Sequence, residues 1–174
     1  MRYRQATPAD AGALAEFGAR LFLDSYHKLM EAGEIEVYVR EHFTAERQQA
    51  ELADAATTTF LAVDPGICGY AQLTADSRPD CALAARRPAE LKRIYVERAW
   101  QGHGVAAELL RLVEAEAQQR HCDLLWLAVW EVNQRAISFY GKQGFAIVGR
   151  QGFPIGNEVQ TDHVMAKPLA TELQ

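Results

Sequence analysis

The spacing of apolar residues along this chain changes several times, and each change marks an element. Leu14, Phe17, Leu21 and Phe22 recur at helical spacing after Thr7-Pro8-Ala9-Asp10. There Thr7 is placed to cap, Pro8 suits a first turn, and Asp10 complements the positive end of the helix. Residues 1–6 before them read as a short strand. Ile35, Val37, Tyr38 and Phe43 predict a second helix ending before Thr44, and Thr44-Ala45-Glu46-Arg47 opens a third that reaches about residue 53. The period then shortens. Residues 57–63 are β-branched and apolar, Pro65-Gly66 turns the chain, and 67–74 return as a second strand. Asp76, Ser77, Arg78, Pro79, Asp80 and Pro88 make 75–89 a loop. A strand over 90–96 runs into a helix over about 104–120, whose stripe of Val105, Leu109, Leu112 and Val113 faces a core. Residues 124–129 are almost continuously apolar, as in a central strand. A helix over 134–143 and strands over 145–148 and 160–165 complete a mixed α/β pattern, expected as one domain spanning 1–174.

Composition narrows the function classes. A chain of 174 residues, 49% hydrophobic and 24% charged, buries a sizeable core in one domain. With a net charge of −5 and no basic run longer than two residues, it offers no electrostatic footprint for nucleic acid. Cys68, Cys81 and Cys122 form no CxxC pair, and His27, His42, His103, His121 and His163 are scattered. Neither a disulfide framework nor a metal centre is expected, and a reducing compartment is. The N-terminus lacks an apolar leader, and no stretch approaches membrane-spanning length, so the expected location is cytoplasmic with no membrane partner.

The chemistry-bearing stretch is LKRIYVERAWQGHGVAAELL, residues 91–110. A strand enters Gln101-Gly102-His103-Gly104, and an amphipathic helix leaves it without a break. Two glycines let the backbone turn its N–H groups inward, and the first helical turn adds unpaired N–H groups and the positive dipole end. Such a turn suits a pyrophosphate, although tight strand–helix turns also need glycine for geometry alone. Further on comes Trp130-Glu131-Val132-Asn133-Gln134-Arg135-Ala136-Ile137-Ser138-Phe139-Tyr140-Gly141-Lys142-Gln143-Gly144-Phe145. No dinucleotide fingerprint occupies a first βα turn, and no G-x-x-x-x-G-K-[ST] is present, which sets aside Rossmann and P-loop chemistry.

Together the two segments resemble the GNAT superfamily of acyl-CoA-dependent N-acyltransferases, through its Q/R-x-x-G-x-G/A loop and its N-x-x-A-x-x-F-Y-x-x-x-G-F helix. The resemblance spans nearly the whole chain. It implies an α/β fold with a mixed, mostly antiparallel sheet that splays between its fourth and fifth strands and is flanked by helices. It implies acetyl-CoA as co-substrate, with no metal. The backbone of Ile94, Tyr95 and Val96 would pair with the pantetheine arm like an added strand. Gln101, Gly102, His103, Gly104, Val105 and Ala106 would wrap the pyrophosphate. Asn133 would contact the coenzyme near the pantetheine amide, while Arg135 and Lys142 either reach phosphates or are exposed helical charges. His103 departs from the basic residues common at its position and reads as a loop residue facing phosphate or solvent. Tyr140 matches the tyrosine that protonates the departing thiolate. Glu90 matches the glutamate that deprotonates the amine in some members, although many relatives use water instead.

A finer resemblance bears on the acceptor. Glu90-Leu91-x-Arg93-Ile94-Tyr95-Val96, Leu127-x-Val129-Trp130-Glu131-x-Asn133 and Phe153-x-x-Gly156-x-x-x-Gln160-Thr161-Asp162-x-x-Met165 are similar to the PaiA-type polyamine N-acetyltransferases. That similarity implies a small-molecule amine partner such as spermidine or spermine, and it is compatible with a homodimer. Asp24, Glu31, Glu34, Glu36 and Asp162 lie where they would line a polycation pocket, or are simply solvated charges. Two other readings stay open: acetylation of a protein N-terminus or lysine, and a non-catalytic acyl-CoA-binding regulatory domain. The latter would be expected to lose Tyr140.

Overall fold

A computed structural model describes residues 1–26, 32–155 and 158–170. The chain begins with β1 (Arg2–Gln5) and a 3-10 turn, Pro8–Asp10, where Asp10 accepts from the Thr7 backbone N–H at 2.8 Å and pairs with Arg4. The helix predicted from Pro8 therefore starts one turn later, as α1 (Ala11–Tyr26), followed by α2 (Ala32–His42) and α3 (Ala45–Ala53). Thr44 caps α3, its side chain accepting from the Arg47 N–H.

Among the described residues, seven strands form one sheet in the order β1-β2-β3-β4-β5-β7-β6. These are β2 (Thr57–Val63), β3 (Ile67–Ala75), β4 (Pro88–Val96), β5 (Leu124–Trp130), β6 (Ala146–Ile155) and β7 (Glu158–Pro168), with β1 on one edge. Only β4 and β5 run parallel; every other neighbouring pair is antiparallel. Between β4 and β5 lies α4 (Val105–Gln119), and α5 (Gln134–Lys142) follows β5.

The helices divide between the two faces. Leu14, Phe17 and Leu21 of α1 pack with Leu61 and Tyr70 on one face. On the other, α4 buries Val105, Leu109, Leu110 and Val113 against Ala71, Leu73, Leu91 and Leu127, and Tyr140 of α5 joins this larger core. Leu110 thus completes the stripe in place of Leu112, which is only half-buried. At 3.6 residues per turn, Leu112 points about 100° away from the centre of the buried arc.

Two irregularities of β4 decide where the sheet opens and which charges meet. Its ladder with β5 holds only Pro88, Ala89 and Glu90, so the strands part beyond the Glu90–Trp126 pair. Next to that point the register with β3 slips: Leu91 faces Leu73 while Arg93 faces Gln72, leaving Lys92 as the extra residue of a bulge. Leu91 and Arg93 would share a face in an unbroken strand. The bulge sends Leu91 to the α4 side and Arg93 to the α3 side, where it meets Glu51.

Candidate active site

Beyond the parting of β4 and β5, two adjoining cavities of about 890 and about 450 Å³ share Ser25, Ile94, Val96, Gln101, Asn133 and Arg135. They are two ends of one cleft.

The smaller end is the glycine loop. Gly102 and Gly104 hold φ of +84° and +80°, the left-handed region that side chains avoid, and no atom lies within 4 Å of where a Cβ would project from either. Gly104 is also the N-cap of α4 and supplies no side-chain cap, so the first N–H groups of the helix stay available to a ligand. Gly102, Gly104, Val105 and Ala106 line this end, together with Trp100 and Ala107. Backbone donors at a helix start, beside an open space that glycine leaves clear, fit an anion such as a pyrophosphate.

Beyond Glu90, the edge of β4 facing β5 carries no ladder, which leaves its backbone to the cleft. Ile94 and Val96 line both ends and Tyr95 the larger one. The Val96 carbonyl already accepts from Gln101 Nε2 at 3.0 Å, so Gln101 braces the loop against the strand. His103 is exposed, lies edge-on to Trp100, and lines neither cavity. Asn133 lines both cavities and caps α5, its Oδ1 accepting from the Ala136 N–H at 3.1 Å. Arg135 reaches both cavities, whereas Lys142, exposed at the last residue of α5, reaches neither.

Tyr140 brings a hydroxyl to the smaller end. It is buried between Phe139 and Phe145 and lines the cleft. Burial alone pushes its pKa well above the ordinary phenol range, so it stays protonated and able to donate.

Glu90 stands elsewhere. It accepts from Ser77 Oγ at 2.6 Å, while Trp126, across the ladder, donates its Nε1–H to the Ser77 carbonyl. The loop expected over 75–89, which gives up its last two residues to β4, is thus fastened over this face. Glu90 lines neither cavity, so these positions do not bring it together with Tyr140.

The larger end is lined by Leu21, Asp24, Ser25, Arg98, Trp130 and Val132 besides the shared residues. Of the acidic candidates, Asp24 lines it, Glu36 is exposed, and Asp162 is buried at the β5–β7 ladder. Glu31 and the Glu34 side chain lie outside the described residues. Arg98 and Trp100 join the cleft without a sequence signal, because nothing in their local pattern separates them from solvated loop residues. Among the described residues, no group of three or more His, Cys, Asp and Glu is placed to hold a metal ion. No helix among them is long and apolar enough to cross a membrane.

Behind the cleft wall lies a polar cluster. Arg93 donates to Glu51 at 2.6 Å and to Gln72 at 3.0 Å, Lys92 reaches Glu51 at 3.2 Å, and the guanidinium lies over Phe43. Burial would raise the Glu51 pKa, but the Arg93 guanidinium, with Lys92 and Gln72, brings it down to about 2. The cluster ties α3 to the strand at its bulge.

A split parallel pair, a glycine-framed loop opening a helix, and a buried tyrosine on the next helix meet at this cleft. Residues 22–145 match the model of the acetyltransferase (GNAT) family, and the chain belongs to that family. It is 33% identical over 161 residues to an uncharacterized N-acetyltransferase of Mycobacterium tuberculosis, covering 92% of this chain and 98% of that one. An uncharacterized N-acetyltransferase from the pepI 3′ region of Lactobacillus delbrueckii subsp. lactis is 25% identical over 166 residues, 95% of each chain. The crystal structure of the PaiA N-acetyltransferase from Thermoplasma acidophilum in complex with coenzyme A superposes with a TM-score of 0.77 at 20% identity, over 96% of this chain and 98% of that one. The protein is therefore a GNAT-type, acetyl-CoA-dependent N-acetyltransferase with the sheet architecture expected from its motifs.

Proposed function

We propose that the protein transfers acetyl from acetyl-CoA to the primary amine of a small cationic molecule such as spermidine or spermine. The observation that carries this reading is the pairing of the two cleft ends. One end offers backbone donors and Tyr140; the other brings the Tyr95 and Trp130 rings and the Asp24 carboxylate together, with Arg98 and Arg135 toward the coenzyme side. The acceptor class itself comes from the motif similarity to the PaiA-type polyamine N-acetyltransferases, whose Thermoplasma acidophilum member shares the fold.

In this reading Gly102, Gly104, Val105 and Ala106 hold the pyrophosphate through backbone N–H groups, and Arg135 adds charge beside it. The free edge of β4 at Ile94, Tyr95 and Val96 aligns the pantetheine arm, and Asn133 faces it from the opposite wall. Bound there, acetyl-CoA supplies an activated acyl carbon. The amine nitrogen forms the new C–N bond as the C–S bond breaks; the Tyr140 hydroxyl gives its proton to the departing sulfur and is restored, directly or through water, by the proton that the acylated nitrogen sheds. Neutral amine is required, so one proton must first leave the ammonium. Glu90 serves that step only through intervening water, since it is held by Ser77 outside the cleft.

The test is thiol release from acetyl-CoA against spermidine, spermine, aminoglycosides, amino acids and peptide N-termini. Saturable release with a polyamine, and little with peptides, is the expected result. Release only with peptides would replace the small-molecule reading by acetylation of a protein amine. Coenzyme binding without release on any amine would favour a regulatory domain.

A further inference from the structure

Among the described residues no ion pair reaches the buried carboxylate of Asp162, whose ladder partner Trp130 is a wall of the cleft. Asp162 is 7% exposed and lies across the ladder from Trp130 on one side and Gln151 on the other. Cross-strand partners carry their side chains on one face, with Cβ atoms about 5 Å apart. The carboxylate therefore lies beside the Trp130 side chain, and Trp130 is a wall of the larger cavity.

Tyr38 of α2 sits over this face. Its ring stacks on Phe22 and His42 at 4.6 and 4.0 Å and meets Phe153 of β6 at 5.9 Å. Its phenol is within electrostatic reach of both Arg93 on β4 and Asp162 on β7, so it spans the split between the two halves of the sheet.

The charges nearby do not satisfy Asp162. Arg93 and Lys92 are both taken by Glu51, the other buried carboxylate of the chain's described residues. Glu131, at the end of β5, repels Asp162, and His163, one residue along β7, turns to the opposite face by strand alternation and attracts it only weakly. No hydrogen bond or ion pair from a described residue meets the carboxylate. Burial, with Glu131 adding to it, lifts its pKa to about 6. A carboxylate beside aromatic faces, repelled by a second carboxylate and without a hydrogen-bond or ion-pair partner among the described residues, is a site that a cation completes.

We propose that Asp162, walled by Trp130 and roofed by Tyr38, binds a positively charged nitrogen of the acceptor. This assignment rests on the reading of the acceptor as a cationic amine, and it names the residue that makes it so. Asp162 is then a substrate-binding residue set by the last two strands, while the coenzyme is held by the loop and α5.

The experiment compares wild type with Asp162→Asn, with spermidine as the probe, by calorimetric binding in the presence of coenzyme A and by steady-state kinetics. Expected is at least a tenfold weaker spermidine binding and a matching rise in its KM, with the acetyl-CoA KM held within twofold. Wild-type spermidine affinity should also rise between pH 5 and 7 as Asp162 ionises, and that rise should vanish in the variant. Spermidine binding unchanged by D162N, in a wild type that acetylates it, overturns the role of Asp162 alone. A wild type that neither binds nor acetylates any cationic amine overturns the acceptor reading and this inference with it. Asp162→Ser, smaller and also uncharged, repeats the comparison if the asparagine variant fails to fold.

Discussion

Replacing Glu51 with glutamine removes the anion that Arg93 and Lys92 share behind the cleft. Glu51 is 8% exposed, and the Arg93 side chain is 10% exposed, so neither charge is well screened by water. Burial acts against the carboxylate, yet Arg93, Lys92 and Gln72 lower its pKa from 4.5 to about 2. At about 1.4 kcal/mol per pKa unit, that depression corresponds to roughly 3 kcal/mol of folding stability. Removing one partner of a buried pair costs a similar about 3–5 kcal/mol, because the other charge is left uncompensated. Because the folded pKa is depressed, the contribution is complete above the unfolded value near 4.5 and is lost as pH falls toward about 2. Urea unfolding of wild type and E51Q at pH 7, 5 and 3 measures it. Expected is a gap of about 3 kcal/mol at pH 7 that narrows at pH 3, and a double variant E51Q/R93M more stable than E51Q alone. A gap under about 1 kcal/mol at pH 7, or one independent of pH, would refute the anchoring of α3 to the bulge of β4 by this pair.

Three further outcomes are expected. Tyr140→Phe should lower kcat at least tenfold, with acetyl-CoA affinity nearly unchanged, because the ring keeps its packing and only the proton donor is lost; unaltered turnover removes Tyr140 from the acid role. Gly104→Val should abolish coenzyme binding by calorimetry, since φ of +80° is an outlier for a β-branched residue and the new side chain would project into the phosphate space; retained binding means the anion sits elsewhere. Asp162→Asn should raise the unfolding free energy by roughly 1–3 kcal/mol at pH 8 and by almost nothing at pH 4. The folded carboxyl, with its raised pKa of about 6, holds a proton that the unfolded chain releases, so wild type loses stability as pH rises from about 4 to 6. A difference that does not depend on pH would contradict a buried carboxylate with no partner among the described residues.

Local patterns make much of the site legible without the fold. Gly102 and Gly104 between a strand and a helix announce a backbone that needs positive φ, and both residues have it. Asn133 and Tyr140 fall at the N-cap and the buried face of the helix expected over 134–143. The outer strands are harder to read. β6 extends to Ile155 through Gly152 and Pro154, and β7 runs from Glu158 to Pro168 with Asp162 inside it. Strand propensity argues against such residues, and the pairing of β7 with β5 on one side and β6 on the other overrides it. The parts of the site that depend on those strands are therefore visible in the sequence only as candidates.

Sequence by itself determined the elements that carry chemistry, because capping, glycine geometry and hydrophobic period act over a few neighbouring residues. It determined the glycine loop between a strand and a helix, the helix bearing Tyr140, and the succession of strands and helices of a mixed α/β pattern. Tertiary structure decided which charges meet. The bulge at Lys92 turns Arg93 toward Glu51, distant in sequence, and the end of the β4–β5 ladder at Glu90 opens the cleft while the loop bearing Ser77 keeps Glu90 out of it. Asp162 has the same local pattern as any polar strand residue. Its burial beside Trp130 and beneath Tyr38 comes from β7 pairing between β5 and β6, a juxtaposition of segments that no local spacing encodes.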